Sequence, residues 1–241
     1  MRSINRRFRT LIHHNQETIL RPSLHNVECR YPHSTLLRFW PPGTEGYTLY
    51  YAGLIYRMKR IILRVAEVCN LTQNAKIDAL YCISHVSNEV CKIFAALTIP
   101  PEDVTEGFVR EVRNAIFEPL STEQLQQMVP TCIRLVFKAA ELLGEYYPGR
   151  PLHMNTYTTY NKFLVAYGPS LIVALDERKL VQRQEYLVKI KALWEVDFPR
   201  MHDELIRYLE TRGKGLMTEP GIEIQQFFQE EDTFLDMRNA E

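Results

Sequence analysis

Apolar positions recur along the chain at helical spacing, and strand-like alternation never lasts more than four residues. Tyr47, Tyr51, Leu54, Met58, Ile61, Val65 and Val68 step by 4, 3, 4, 3, 4 and 3, an apolar seam over three heptads. Thr44 offers a cap before this seam and Asn70 a stop after it. A second seam follows a Thr72 cap: Ala79, Ile83, Val86, Val90, Ile93 and Leu97. Two long helices joined by a turn of a few residues predict an antiparallel hairpin. Arg57, Arg60 and Arg64 lie on the face of the first helix away from its seam.

Breakers divide the rest. Pro100-Pro101 separate the second helix from one carrying Phe108, Val112, Ala115 and Ile116, which Pro119 ends. Ser121 then opens Ser-Thr-Glu-Gln, the spacing of a capping box with Gln124. The helix it starts is expected to run toward Tyr147 with Leu125, Met128, Cys132, Leu135, Ala139 and Leu142 inward, kinked at Pro130. Residues 147–151 break the chain. Asn155–Tyr167 is a further helix, and Gly168-Pro169-Ser170 precede a long one expected from Leu171 to about Val196, resuming after Pro199 and ending near Gly213. Residues 21–46, with Pro22, Pro32, Pro41, Pro42, Gly43 and Gly46, predict an irregular connector with a short turn at Leu36–Trp40. A last amphipathic stretch is Ile222–Phe234. The pattern predicts an all-α protein: an irregular bundle of about seven to nine helices built on a long antiparallel hairpin. Its expected parts are a basic arm and connector (1–43), a helical core (44–213) and an acidic tail (214–241).

Composition fits this picture. The 241 residues are 46% hydrophobic and 24% charged, enough to bury a core without disulfides or metal. Cys29, Cys69, Cys82, Cys91 and Cys132 are odd in number and widely spaced, which suits buried thiols in a reduced compartment. No apolar run exceeds the length of Leu171–Leu175, far short of the roughly 20 residues that span a bilayer.

The zero net charge conceals a gradient. Residues 1–66 hold 11 Lys+Arg and 3 acids, whereas residues 215–241 hold 1 Arg and 7 acids. Ends of opposite sign suit docking within the chain or head-to-tail contact between copies. Residues 1–16 carry Arg2, Arg6, Arg7 and Arg9 and no acid, with Ile4, Phe8, Leu11 and Ile12 on one helical face. That is the composition of a mitochondrial targeting segment, and also of a basic arm for RNA or an acidic partner, of a helix docking on a membrane surface, or of an ordinary solvated first helix.

Chemical motifs are sparse. No glycine-rich phosphate loop occurs, and Gly213-Lys214-Gly215 lacks a preceding strand. His25, Cys29 and His33 recur every four residues, but Pro32 interrupts the helix a zinc site of that spacing needs. His202-Asp203, with His85 or His153 before it and Asp232 or Asp236 after it, has the residue types of an all-α metal phosphohydrolase of the HD type. Asp232 and Asp236 have the spacing of one acidic motif of the α-helical prenyl-diphosphate enzymes, but the second motif is missing.

Leu54-Ile55-Tyr56-Arg57, followed by Arg60 and Arg64, resembles the Leu-Tyr-Arg signature of small mitochondrial helical proteins. Members of that family serve as accessory subunits and assembly factors, with Tyr and Arg early in a first long helix. Ile55 stands where the family has Leu, the next Arg falls one position early, and the chain is more than twice the usual length. The resemblance covers about 20 residues and rests on Tyr56 and Arg57.

The sequence therefore predicts a non-catalytic structural or accessory subunit of a large assembly, mitochondrial in setting, with no cofactor or metal. Its expected partners are other protein subunits, with RNA or further copies of the chain as additional ones. The expected contact residues are Arg6, Arg7, Arg9, Trp40, Arg57, Arg60 and Arg64. The alternatives are an RNA-coating, self-assembling protein of nucleocapsid or matrix type, with Tyr31, Phe39 and Trp40 stacking on bases, and a metal-dependent hydrolase using His202-Asp203.

Overall fold

The computed structural model describes residues 10, 15–29, 36–44, 46–96, 106–146, 152–179, 181–185, 188 and 201–212. The fold is all-α, with no strand among these residues. Among the described residues the helices with defined bounds are α1 (Gln16–Cys29), α2 (Leu36–Phe39), α3 (Leu49–Val68), α4 (Asn74–Ala96), α5 (Glu106–Phe117), α6 (Thr122–Leu142), α7 (Met154–Tyr167), α8 (Ser170–Asp176) and α9 (Met201–Thr211), and residues 181–185 are helical as well.

The helix ends follow from local chemistry. Thr48, not Thr44, caps α3: its hydroxyl accepts the Tyr51 N–H at 3.1 Å. Asn70 ends α3 as expected. It adopts φ 56°, and the Asn70 and Leu71 amides donate back to Glu67 and Ala66, closing a Schellman motif. The second helix begins at Asn74, two residues beyond the expected cap. Ser121 and Gln124 form the capping box of α6 in full, with bonds of 3.1 and 3.0 Å. That helix stops at Leu142, short of Tyr147, because Gly144 at φ 71° closes a second Schellman turn onto Glu141 and Ala140.

Helices α4 and α6 form the most extensive contact, and α7 packs on both. Leu125, Met128, Val129, Cys132, Leu135, Val136 and Ala139 of α6 have no exposed surface. Each such aliphatic side chain contributes about 1.5–3 kcal/mol by leaving water. Of the second seam, Ala79, Ile83, Val86 and Val90 are buried, together with Leu80, Tyr81 and Cys82 on adjoining faces of α4. The helix is enclosed nearly all round. The hairpin partner α3 touches α4, but it touches α8 as extensively, and α8 bridges on to α6.

Three sequence expectations are corrected. Residues 21–29 continue α1 with Pro22 inside it, and Leu24 is fully buried, so this part of the connector is regular. The inward face of α3 is Tyr51, Ile55, Ile62 and Val65, whereas Leu54, Met58 and Ile61 of the expected seam are half-buried. At about 100° per residue that is a rotation of roughly 70°. The long helix expected from Leu171 breaks after Asp176. There Arg183 donates to the carbonyls of Leu142 (2.6 Å), Asp176 (3.3 Å) and Arg178, joining the C-terminal ends of α6 and α8.

Candidate functional site

Helix α3 positions the most distinctive surface. Its buried residues occupy one side, and Leu49, Tyr50, Gly53, Tyr56, Arg57, Arg60, Arg64 and Glu67 occupy the opposite one. At about 100° per residue these eight positions span roughly 120° of the helix. Tyr50 is 84% exposed, and Leu49 and Tyr56 about half. A Cβ at Gly53 would meet no atom within 4 Å, so the surface is flat between the two tyrosines.

The arginines on this face differ in their commitments. Arg64 pairs with Glu67 at 2.8 Å and with Asp176 of α8 at 2.7 Å, and these bonds raise its pKa further. It serves as an intramolecular tie between α3 and α8. Arg57 and Arg60 are exposed and have no partner among the described residues. The Tyr56-Arg57 pair of the Leu-Tyr-Arg-like stretch thus falls on the outer face, while Ile55 is fully buried.

Trp40 belongs to a neighbouring cluster. The Phe39 ring stacks on His85 of α4 at 4.3 Å, and Trp40 meets both rings edge-on at 6.0 Å. The Tyr51 hydroxyl donates to the Trp40 carbonyl at 2.5 Å, tying α2 to the first turn of α3. Nδ1 of His85 is buried with no hydrogen-bond partner among the described residues. Burial is the main cause holding the His85 pKa below its usual value, with Arg38 and Lys92 adding to it and Glu89 opposing.

Among the described residues, two of the concavities beside the core carry polar groups of note. One, of about 230 Å³, lies between α3, α4 and the α7–α8 turn and is lined by Met58, Ser84, Ser87, Asn88, Cys91 and Ser170 among others. Its polar groups are spoken for in part: Ser87 donates to the Val165 carbonyl at 2.6 Å and the Cys91 thiol to that of Ala166 at 3.1 Å. The other, of about 520 Å³, contains Tyr160, whose hydroxyl donates to Glu145 at 2.7 Å. Burial, with the Glu145 bond, raises the tyrosine pKa. The described lining residues of the first are neutral, and the second holds the Tyr160–Glu145 pair.

Among the described residues no three His, Cys, Asp or Glu side chains gather as a metal site. His202 and Asp203 lie on α9, but their side chains fall outside the described set, as do Asp232 and Asp236. The same is true of Arg6, Arg7 and Arg9, of Ile4, Phe8, Leu11 and Ile12, and of the His25, Cys29 and His33 side chains. Among the described residues no helix is long and apolar enough to cross a membrane.

The structure therefore brings Arg57 and Arg60 together, separates them from Trp40, and engages Arg64 internally. Leu49, Tyr50 and Gly53 were not singled out from the sequence. Their signal is the spacing 49, 53, 56, 60 on the face away from the core, and it becomes readable only once the core face is known. Comparison with protein-family models, curated proteins and solved structures finds no match for this chain.

Proposed function

We propose that this chain is a non-catalytic accessory subunit that docks on a protein partner through the outer face of α3. One observation carries the reading. Exposed aromatic rings at Tyr50 and Tyr56 stand beside Arg57 and Arg60, which have no partner among the described residues, on a helix whose other side is anchored in the core. Tyr and Arg are the residue types that most often concentrate binding energy in protein interfaces. The pattern suits an acidic partner surface with an apolar pocket. The mitochondrial setting rests on the composition of residues 1–16 and on the Tyr56-Arg57 resemblance.

The test is native mass spectrometry of the complex purified from source, with and without nuclease, for the parent and for Arg57→Glu/Arg60→Glu. Proteins held at fixed stoichiometry by the parent and lost from the variant support the reading. Partners retained by the variant refute it. RNA is the second reading, favoured by the exposure of Tyr50, which offers a free ring for base stacking next to two cations. A complex that dissolves on nuclease treatment would select it.

A further inference from the structure

We infer that the cavity between α3, α4 and the α7–α8 turn is a binding site for a small uncharged nitrogen heterocycle of one or two rings. The inference stands apart from the docking reading and does not depend on it. Size is the first argument. At about 230 Å³ the cavity falls just below the roughly 300–1,000 Å³ of sites for drug-sized ligands, so it suits a molecule of about ten heavy atoms. Charge is the second. None of its described lining residues is charged, so a carboxylate or phosphate would enter without a counter-charge and lose its hydration.

Chemistry is the third. Ser84, Ser87, Asn88 and Cys91 are spaced i, i+3, i+4 and i+7, a polar stripe on α4 beside the buried Ile83, Val86 and Val90. Two of the four are committed to the end of α7. Ser87 donates to the Val165 carbonyl at 2.6 Å and Cys91 to that of Ala166 at 3.1 Å, and these bonds hold the walls of the cavity in place. The other two have capacity to spare. The Ser84 hydroxyl has no partner among the described residues. Asn88 donates one amide N–H to Glu89 at 3.3 Å, and its carbonyl oxygen accepts nothing among the described residues. Both side chains are half-buried and one turn apart, so a ligand edge with an N–H and a ring nitrogen or carbonyl can satisfy them together. Met58 and Ile61 of α3 form the apolar wall, and they are the residues of the expected seam that the core leaves half-buried. A ring laid on them removes that surface from water and gains a sulfur–aromatic contact with Met58.

Methyl NMR of the full chain, with carbon-13 in the methionine methyl groups, tests this. The Met58 methyl, assigned with Met58→Leu, reports from the cavity wall, and that of Met128, fully buried in α6, is the internal control. The probe is benzimidazole, uncharged at neutral pH, with one N–H and one bare ring nitrogen. It should move the Met58 methyl upfield, leave Met128 in place and saturate at roughly 1 mM, as its nine heavy atoms allow. 1-Methylbenzimidazole lacks the donor for Asn88 and should bind about tenfold more weakly. Benzoate, of similar size but charged, should not move the methyl. In Asn88→Leu the two heterocycles should bind alike. If that variant does not fold, the comparison of the three compounds on the parent chain decides alone. A Met58 methyl unmoved at about 10 mM benzimidazole would overturn the inference. Equal affinity of the parent for the methylated compound, or for benzoate, would overturn it as well.

Discussion

Gly168→Ala is the perturbation with the largest effect that the backbone itself predicts. Gly168 ends α7 at φ 56° and ψ −158°, while its N–H still donates to Leu164 at 2.8 Å. Only glycine enters that region without strain, and an L residue there costs about 1–3 kcal/mol. The added Cβ would also sit 3.2 Å from Ser87 Oγ and 3.3 Å from Ser87 Cβ. Ser87 is held by its 2.6 Å bond to the Val165 carbonyl, so it yields only by losing that bond. Overpacking of this kind adds about 1–3 kcal/mol, and we expect a total near 3 kcal/mol. Urea unfolding followed by far-ultraviolet circular dichroism should show the midpoint falling by about 1 M at an unchanged slope of roughly 3 kcal/mol per molar. Gly53→Ala is the matched control. Its Cβ meets nothing and its backbone is helical, so it should gain about 0.5–1 kcal/mol. Ser87→Ala in the Gly168→Ala background should recover part of the packing cost and none of the backbone cost. A Gly168→Ala protein within about 0.5 kcal/mol of the parent would refute the reasoning, since at least the backbone term of about 1 kcal/mol must appear.

Other expected outcomes follow from single sites. Ser121→Ala removes one arm of the capping box and should cost about 1 kcal/mol in the same urea assay. His85 has a folded pKa below its unfolded one, so the two states differ in protonation only once pH drops below about 6.5. The unfolded chain then binds the proton first and stability falls with pH until the folded pKa is passed; His85→Phe should flatten that stretch of the stability–pH curve. Burial pushes the Cys69 thiol up to about 12 and raises Cys132 and Cys91 as well. Peptide mapping after iodoacetamide at pH 8 should find Cys69 and Cys132 unmodified in the folded protein, and modified once urea is added.

What was legible in the sequence was what a single element specifies for itself. The capping box at Ser121, the stop at Asn70, the break at Gly168 and the inward positions of α6 all follow from local chemistry or from one unambiguous apolar stripe. The face of α3 was not legible, because Leu54, Met58 and Ile61 form as regular a stripe as Tyr51, Ile55 and Ile62. Packing against α8 as well as α4 chooses between them, and α8 is more than a hundred residues away in the chain. The end of α8 carries no breaker. Residues 176–179 are all charged, and the break is held by Arg183, whose three acceptors belong to two helices and a turn. The aromatic surface at Tyr50 inherits the same ambiguity, since a tyrosine is exposed or buried according to which stripe wins.

Several arginines are engaged by the fold itself. A helix end leaves carbonyls without donors, and a guanidinium placed there satisfies them and complements the helix dipole. Arg134 reaches the carbonyl of Cys69 at the end of α3, and Arg183 those of Leu142 and Asp176 at the ends of α6 and α8. Arg38 and Arg212 reach the carbonyls of 118–120 after α5. These cations are spent inside the fold, and Arg64 with them. Within the first 66 residues Arg38 and Arg64 are engaged in this way, which leaves Arg57 and Arg60 as the exposed arginines of α3 without a partner among the described residues. The two groups separate in experiment. Arg183→Ala strips donors from three carbonyls and should lower stability by about 1–3 kcal/mol with binding intact in the remaining folded fraction. Arg57→Glu/Arg60→Glu should leave the urea midpoint in place and abolish docking. If the charge reversal instead shifts the midpoint as Arg183→Ala does, those arginines are structural and the outer face of α3 is not the interface.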